Sequence, residues 1–267
     1  MSAKEFFGMT FEPFRSDLEV KELLDLPGTK GVTERIEYTL KVGGVCVITG
    51  EVGIGKSTSL RAAVAQFHPS QVVVLGLIAN SGSISELYSM IARELGLEPK
   101  STRKSMLAHQ VRSTLVDLIA QKKQTFLLCV DEAQLLRTDV LMELHTLSQH
   151  IYDSKNLLSL VLCGQNNLLD NLHFRTCAPI ASRVVALHHF LPLKAASVEE
   201  YILHHVRVAK LKHNPFDESA MTAIFQSSGG ILRRINNLAR GSLVAAARQK
   251  NQVINSEHVR IAGSEII

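Results

Sequence analysis

The chain has no tryptophan and only four cysteines in 267 residues. No apolar run reaches the roughly 18 residues that a membrane-spanning helix needs. The first residues, Met1-Ser2-Ala3-Lys4-Glu5-Phe6-Phe7, lack the long apolar core of a signal peptide. These absences predict a cytoplasmic protein with no membrane partner. Cys46, Cys129, Cys163 and Cys177 lie far apart, three of them inside apolar runs. They read as buried free thiols in a reducing compartment, not as a disulfide framework or a metal set. No H-E-x-x-H spacing and no Ser-His-Asp arrangement occurs. His188-His189 and His204-His205 are adjacent pairs, and neighbours on a helix or strand point different ways. There is no internal repeat and no low-complexity tract. The excess of one sign of charge is also small, with 29 Lys and Arg against 25 Asp and Glu. The net charge is +4, which permits contact with DNA phosphates without demanding it.

What is present centres on Gly50-Glu51-Val52-Gly53-Ile54-Gly55-Lys56-Ser57, which fits the G-x-x-x-x-G-K-[ST] phosphate loop. The apolar run Val45–Thr49 leads into it, and a helix over Ser57–Phe67 can follow. The glycines let the backbone bend around phosphate. The free N–H groups and the dipole of a helix start favour an anion there. Gly50 to Ser57, with Thr58 behind them, are therefore the candidate ATP cradle. Lys56 would reach the β- and γ-oxygens, and Ser57 would offer a hydroxyl to Mg²⁺.

Short apolar runs alternate with helical patterns from 45 to 190. The runs are Val45–Thr49, Val72–Ile78, Phe126–Val130, Leu158–Cys163 and Val184–Leu187. Between them, helices are expected over Ser57–Phe67, Ile84–Leu95, Ser105–Gln121, Val140–His150 and Leu168–Leu172. A further helix is expected over Thr33–Lys41. Alternation of this kind predicts an α/β fold with a parallel sheet covered by helices. After Pro192 only helical segments remain: Ser197–Lys210, Asp217–Ser227, Leu232–Gln249 and Ser256–Ala262. The expected organisation is an entry segment over 1–40 packed on the core, a nucleotide-binding α/β domain over 41–191, and an all-helical lid over 192–267.

In open parallel sheets the ligand lies at the carboxyl ends of the strands. The run Phe126-Leu127-Leu128-Cys129-Val130 ends in Asp131-Glu132. Asp131 is the candidate Mg²⁺ holder, through water, and Glu132 the group that orients and polarises the attacking water. A further run ends in Gly164-Gln165-Asn166. Gln165, with Asn166 second, is a candidate to position that water against the γ-phosphate. Phosphoryl transfer also draws on arginine charge. Arg183, just before the Val184–Leu187 run, and Arg233, at a helix start, are the candidates. Lys100, Arg103, Lys104, Lys122 and Lys123 form two basic clusters that could face DNA.

This combination resembles the ExeA/GspA-like AAA+ ATPases. The resemblance rests on Phe6-Phe7-Gly8…Pro13-Phe14, Thr49–Ser57, Val130-Asp131-Glu132-Ala133-Gln134, Cys163-Gly164-Gln165, Ser182-Arg183, Leu191-Pro192-Leu193, Tyr201-Ile202 and Gly230…Arg233-Arg234-Ile235-Asn236. It covers nearly the whole chain. It implies a homo-oligomer, ring or helical filament, with ATP between neighbours. Arg183 is then the finger reaching the next copy's γ-phosphate, and Arg233, or its neighbour Arg234, the lid sensor. Leu232 stands where the family usually has proline. Secretion-type members carry a membrane segment and a wall-binding region after the ATPase. Short stand-alone members resemble the TniB/TnsC/MuB/IstB-like partners of DDE-type transposases. The chain's end soon after the lid suggests the second job: an ATP-dependent oligomer on double-stranded DNA that regulates transposition. The alternative is an ATPase assisting secretion or envelope assembly. Intact Asp131 and Glu132 argue against a non-hydrolysing scaffold.

Overall fold

The computed structural model describes residues 2–80, 82–99, 101–151 and 155–265. They fall into two compact units. One is built from Met1–Asp25, the loop tip Gly53–Gly55 and Leu191–Ile267; the other comprises Leu26–Val52 and Lys56–Phe190. The chain opens with the short helix α1 (Ala3–Phe7), started by a capping box between Ser2 and Glu5 and ended by Gly8 in the left-handed region.

The second unit holds α2 (Pro27–Val42), β1 (Val45–Thr49), α3 (Lys56–Val64), β2 (Val72–Ile78), α4 (Ile84–Glu94), α5 (Lys104–Lys122), β3 (Thr125–Asp131), α6 (Thr138–Ser148), β4 (Gln149–His150), β5 (Lys155–Asn156), β6 (Ser159–Gly164), α7 (Asn167–His173), α8 (Ala178–Ala181) and β7 (Val184–His189). Five strands form one parallel sheet in the order β2-β3-β6-β1-β7. β4 and β5 make a separate two-residue antiparallel pair. Every residue of β1 and β6 is buried. That explains their uninterrupted apolar sequences, since helices cover both faces of such a sheet. β7 is an edge strand and alternates, leaving Val185 and Leu187 exposed. Leu128, Leu160 and Leu162 from the sheet share one core with Ile91 of α4, Leu115 of α5 and Leu144 of α6.

The elements follow the expected ones closely, with α2 the main departure. It begins at Pro27 rather than Thr33, with proline in the first turn where its missing N–H costs nothing. Gly28 and Gly31 look like helix breakers in the sequence, but here they allow close packing. A Cβ on Gly28 would stand 2.5 Å from the Phe190 ring, and one on Gly31 2.6 Å from His188.

The other unit contains α9 (Ala195–Val208), α10 (Glu218–Ser228), α11 (Leu232–Arg248) and α12 (Ser256–Ser264). Asp217 caps α10 through the Ala220 N–H at 2.8 Å, and Gly229 ends that helix in the left-handed region. Ile202, Ile224, Ile235, Leu243 and Val259 form the core, joined by Met9 and Phe14 from the N-terminal segment. The Phe14 N–H donates to His205 Nδ1 at 3.1 Å, and the Thr10 N–H donates to the Ala209 carbonyl. Residues 1–25 thus group with the helices after 191, whereas 26–40 belong to the sheet unit as α2. This division differs from the single entry segment expected over 1–40.

Candidate nucleotide site

Strand register assembles the site. Thr49 pairs with Gly164 and Val130 with Leu162, so β1, β6 and β3 end side by side. Gly50 follows β1, Gln165 follows β6, and β3 ends in Asp131 with Glu132 next. β6 lies between the other two strands, which puts Gln165 between the phosphate loop and the carboxylates. Neighbouring strands lie about 5 Å apart, so the three groups share roughly 10 Å of sheet edge.

The loop bends through left-handed backbone at Gly53 (φ 79°) and Gly55 (φ 106°). α3 begins at Lys56, so the loop runs directly into the start of a helix, where backbone N–H groups point out along the axis. Lys56 is buried, and its Nζ donates to the carbonyls of Gly50 (3.0 Å) and Glu51 (2.9 Å). A lysine ammonium folded against a loop that leads into a helix start suits anionic oxygens. Ser57 and Asp131 supply the hard oxygen donors that suit Mg²⁺.

Asp131 closes β3. One of its oxygens, Oδ1, accepts the Glu132 N–H at 2.9 Å. The Cys163 thiol hydrogen-bonds to the same carboxylate from the neighbouring strand. Burial first, then the Asp131 charge and hydrogen bond, push this thiol well above its ordinary range. Cys163 is therefore a protonated donor beneath Asp131. All four cysteines are free and buried.

Glu132 sits in the left-handed region at φ 54°, an uncommon conformation for a side chain of its size. The turn after it returns Gln134 to the site. Gln134 Nε2 donates to Glu132 Oε2 at 2.7 Å, and Gln134 Oε1 accepts the Gln165 N–H at 3.0 Å. In the sequence Gln134 stands only as the last residue of the Val130–Gln134 motif, with no role of its own. Its position two residues after Glu132 was the available signal.

Arg183 stands elsewhere. Its carbonyl accepts the Val45 N–H at 2.9 Å, so it lies beside the first residue of β1. The phosphate loop leaves β1 at its other end, five residues on and roughly 17 Å away at the strand rise. The Arg183 guanidinium donates to Asn156 Oδ1 at 3.2 Å. Arg233 and Arg234 occupy the first turn of α11, both exposed. The Arg233 N–H donates to the carbonyl of Gly53, a loop-tip residue of the same unit, at 2.9 Å.

The described candidate DNA-facing residues stand at the two ends of α5. Lys100 lies outside the described residues. Lys104 is exposed and paired within the chain: its Nζ donates to Glu143 Oε2 at 2.7 Å, and Glu143 Oε1 accepts the Tyr88 hydroxyl at 2.7 Å. Arg103 flanks the start of α5, and Lys122 and Lys123 stand at its far end. A helix of 19 residues sets these ends about 28 Å apart. Among the described residues no cluster of His, Cys, Asp and Glu has metal-holding geometry, and no helix is long and apolar enough to cross a membrane.

The parallel sheet, the phosphate loop after its β1 strand, the acidic end of β3 and the helical C-terminal region define a P-loop AAA+ fold. Residues 40–172 match the family model described as "AAA domain". General secretion pathway protein A of Aeromonas hydrophila is 31% identical over 265 residues, covering 98% of this chain and 48% of that protein. The chain spans about half the length of that relative. Among solved structures, Cdc6p from Pyrobaculum aerophilum superposes with a TM-score of 0.69 at 19% identity, covering 99% of this chain and 71% of that one. The Aeropyrum pernix ORC1 protein, solved in complex with DNA, gives 0.70 at 19% identity, covering 95% and 68%. These likenesses show the fold.

Proposed function

We propose that the chain is an ATP hydrolase that works as an assembly of copies, each nucleotide held by the loop of one copy and met by Arg183 of the next. One observation carries this reading. The loop, Asp131, Glu132 and Gln165 gather at one end of the sheet, and Arg183 stands at the other. An arginine so placed cannot reach the phosphate on its own loop, but a neighbouring copy can present it.

In this reading Gly50–Thr58 cradle the phosphates and Lys56 neutralises their β- and γ-oxygens. Ser57, and Asp131 through water, would hold Mg²⁺, which supplies further positive charge against the phosphates when bound. Glu132 orients a water and takes its proton as the water oxygen bonds to the γ-phosphorus. The bond from that phosphorus to the β,γ-bridging oxygen breaks, leaving ADP and phosphate. Gln165 steadies the γ-phosphate side, and Arg183 from the neighbour stabilises the charge that develops. Loss of the γ-phosphate removes that bridge and loosens the assembly.

The service performed is the one the secretion relative suggests, assistance to secretion or envelope assembly. Transposition regulation with a DDE-type transposase drew on where the chain ends. The secretion reading draws on 31% identity along 98% of the chain.

Phosphate release and equilibrium ATP binding test the hydrolase. Wild type should turn over ATP and Lys56→Ala should lose binding. Glu132→Gln should keep binding while turnover falls about 10²-fold or more. Sedimentation with a non-hydrolysable ATP analogue tests the service: assembly indifferent to duplex DNA fits the secretion reading, and DNA-driven assembly restores the transposition reading.

A further inference from the structure

Gln134 touches both halves of the hydrolytic edge. Its amide nitrogen is spent on the Glu132 carboxylate and its amide oxygen on the Gln165 N–H. Its own carbonyl accepts the Asn171 Nδ2 at 3.3 Å, which ties it to α7. It is buried, so neither bond is exchanged readily for water. The β6 strand leaves room for it only because residue 164 is glycine. A Cβ there would stand 2.6 Å from Gln134 Oε1.

An amide is the group this bridge requires. It needs a donor facing a carboxylate and an acceptor facing a backbone N–H, at opposite corners of one planar group. A carboxylate would keep only the acceptor, and an aliphatic chain neither. With Oε2 held, Glu132 keeps Oε1 for a water. With Oε1 of Gln134 on the Gln165 N–H, the ends of β3 and β6 are joined across the strand gap through a side chain, beyond the last ladder bond. We infer that Gln134 is a positioning residue of the hydrolytic site, which sets the Glu132 carboxylate relative to the Gln165 end of β6 so that the two act on the γ-phosphate as one unit. This rests on the proposed ATP hydrolysis and adds the part that aligns it.

The test compares the full chain with Gln134→Met and Gln134→Glu. Gln134→Met keeps length and loses both bonds. Gln134→Glu keeps the acceptor for Gln165 and sets a carboxylate against Glu132. The inference predicts that kcat falls in both by about 10²-fold, the scale of a misplaced catalytic group, with KM for ATP unchanged. It also predicts that hydrogen exchange at the Gln165 amide speeds up in Gln134→Met and stays slow in Gln134→Glu. An unchanged KM or ATP affinity shows that each variant is folded. Unchanged or raised kcat, or a rise in KM alone, overturns the inference while leaving the hydrolase reading intact. Absence of turnover in the wild type overturns that reading, and this inference with it.

Discussion

The Nδ1 atom of His205 accepts the backbone N–H of Phe14 at 3.1 Å, across 191 residues of chain. This bond joins the N-terminal segment to α9, and it requires an imidazole with an unprotonated Nδ1. Burial first, and His204 second, hold the His205 pKa down at about 3. Tyr201 and Phe14 pack on the ring.

The sign of the pH dependence follows. Above the ordinary histidine pKa near 6.5, both folded and unfolded forms are neutral and the full stability is present. Between about 6.5 and 3 the unfolded chain takes up a proton that the folded protein refuses. Stability should therefore fall as pH falls, by up to about 1.4 kcal/mol per pH unit from this residue. Denaturant titrations at pH 7.5 and 5 check this. His205→Leu should cost about 1–3 kcal/mol at pH 7.5, because the Phe14 N–H loses its acceptor, and should flatten the acid slope.

The Tyr88–Glu143–Lys104 network makes a second prediction. The Glu143 side chain is 12% exposed and Lys104 50%. Glu143→Ala leaves the buried Tyr88 hydroxyl without its acceptor and should cost about 1–3 kcal/mol. Lys104→Ala removes one half-exposed ion-pair partner and should cost no more than about 1 kcal/mol. Urea midpoints of the two variants distinguish them; equal losses would mean that the ion pair, not the tyrosine bond, stabilises α5 against α6.

Gly28 supplies a third. Alanine is the better helix former by roughly 1 kcal/mol, yet its methyl would strike the buried Phe190 ring. The overpacking cost of about 1–3 kcal/mol should outweigh the gain, so Gly28→Ala should lower the urea midpoint. A raised midpoint would show that the ring yields.

These residues also mark where sequence was sufficient. The phosphate loop is legible because its parts are consecutive and the strand before it is uniformly apolar. Asp131 and Glu132 are legible because a buried parallel strand must deliver its terminal residues to the ligand edge. Gln134 was not given a role, because its partners Glu132, Gln165 and Asn171 meet only through strand register. The early start of α2 was hidden by Gly28 and Gly31, whose reason is the side chains at 188 and 190. The attachment of residues 1–25 to the helical unit depends on contacts such as Phe14 with His205, which no local pattern announces. The basic clusters looked alike as charge runs, and only the fold shows Lys104 already engaged by Glu143.

In the proposed function each ATP is served by two copies of the chain. This is tested most directly by mixing Lys56→Ala protein, which has Arg183 but no working loop, with Arg183→Ala protein, which has the loop but no finger. Each alone should fall in turnover, Arg183→Ala by roughly 10³-fold or more. Mixed in equal amounts, they should recover turnover well above either, because a Lys56→Ala copy lends Arg183 to the intact loop of its neighbour. A mixture no more active than its components, with both variants still assembling, would contradict the shared site.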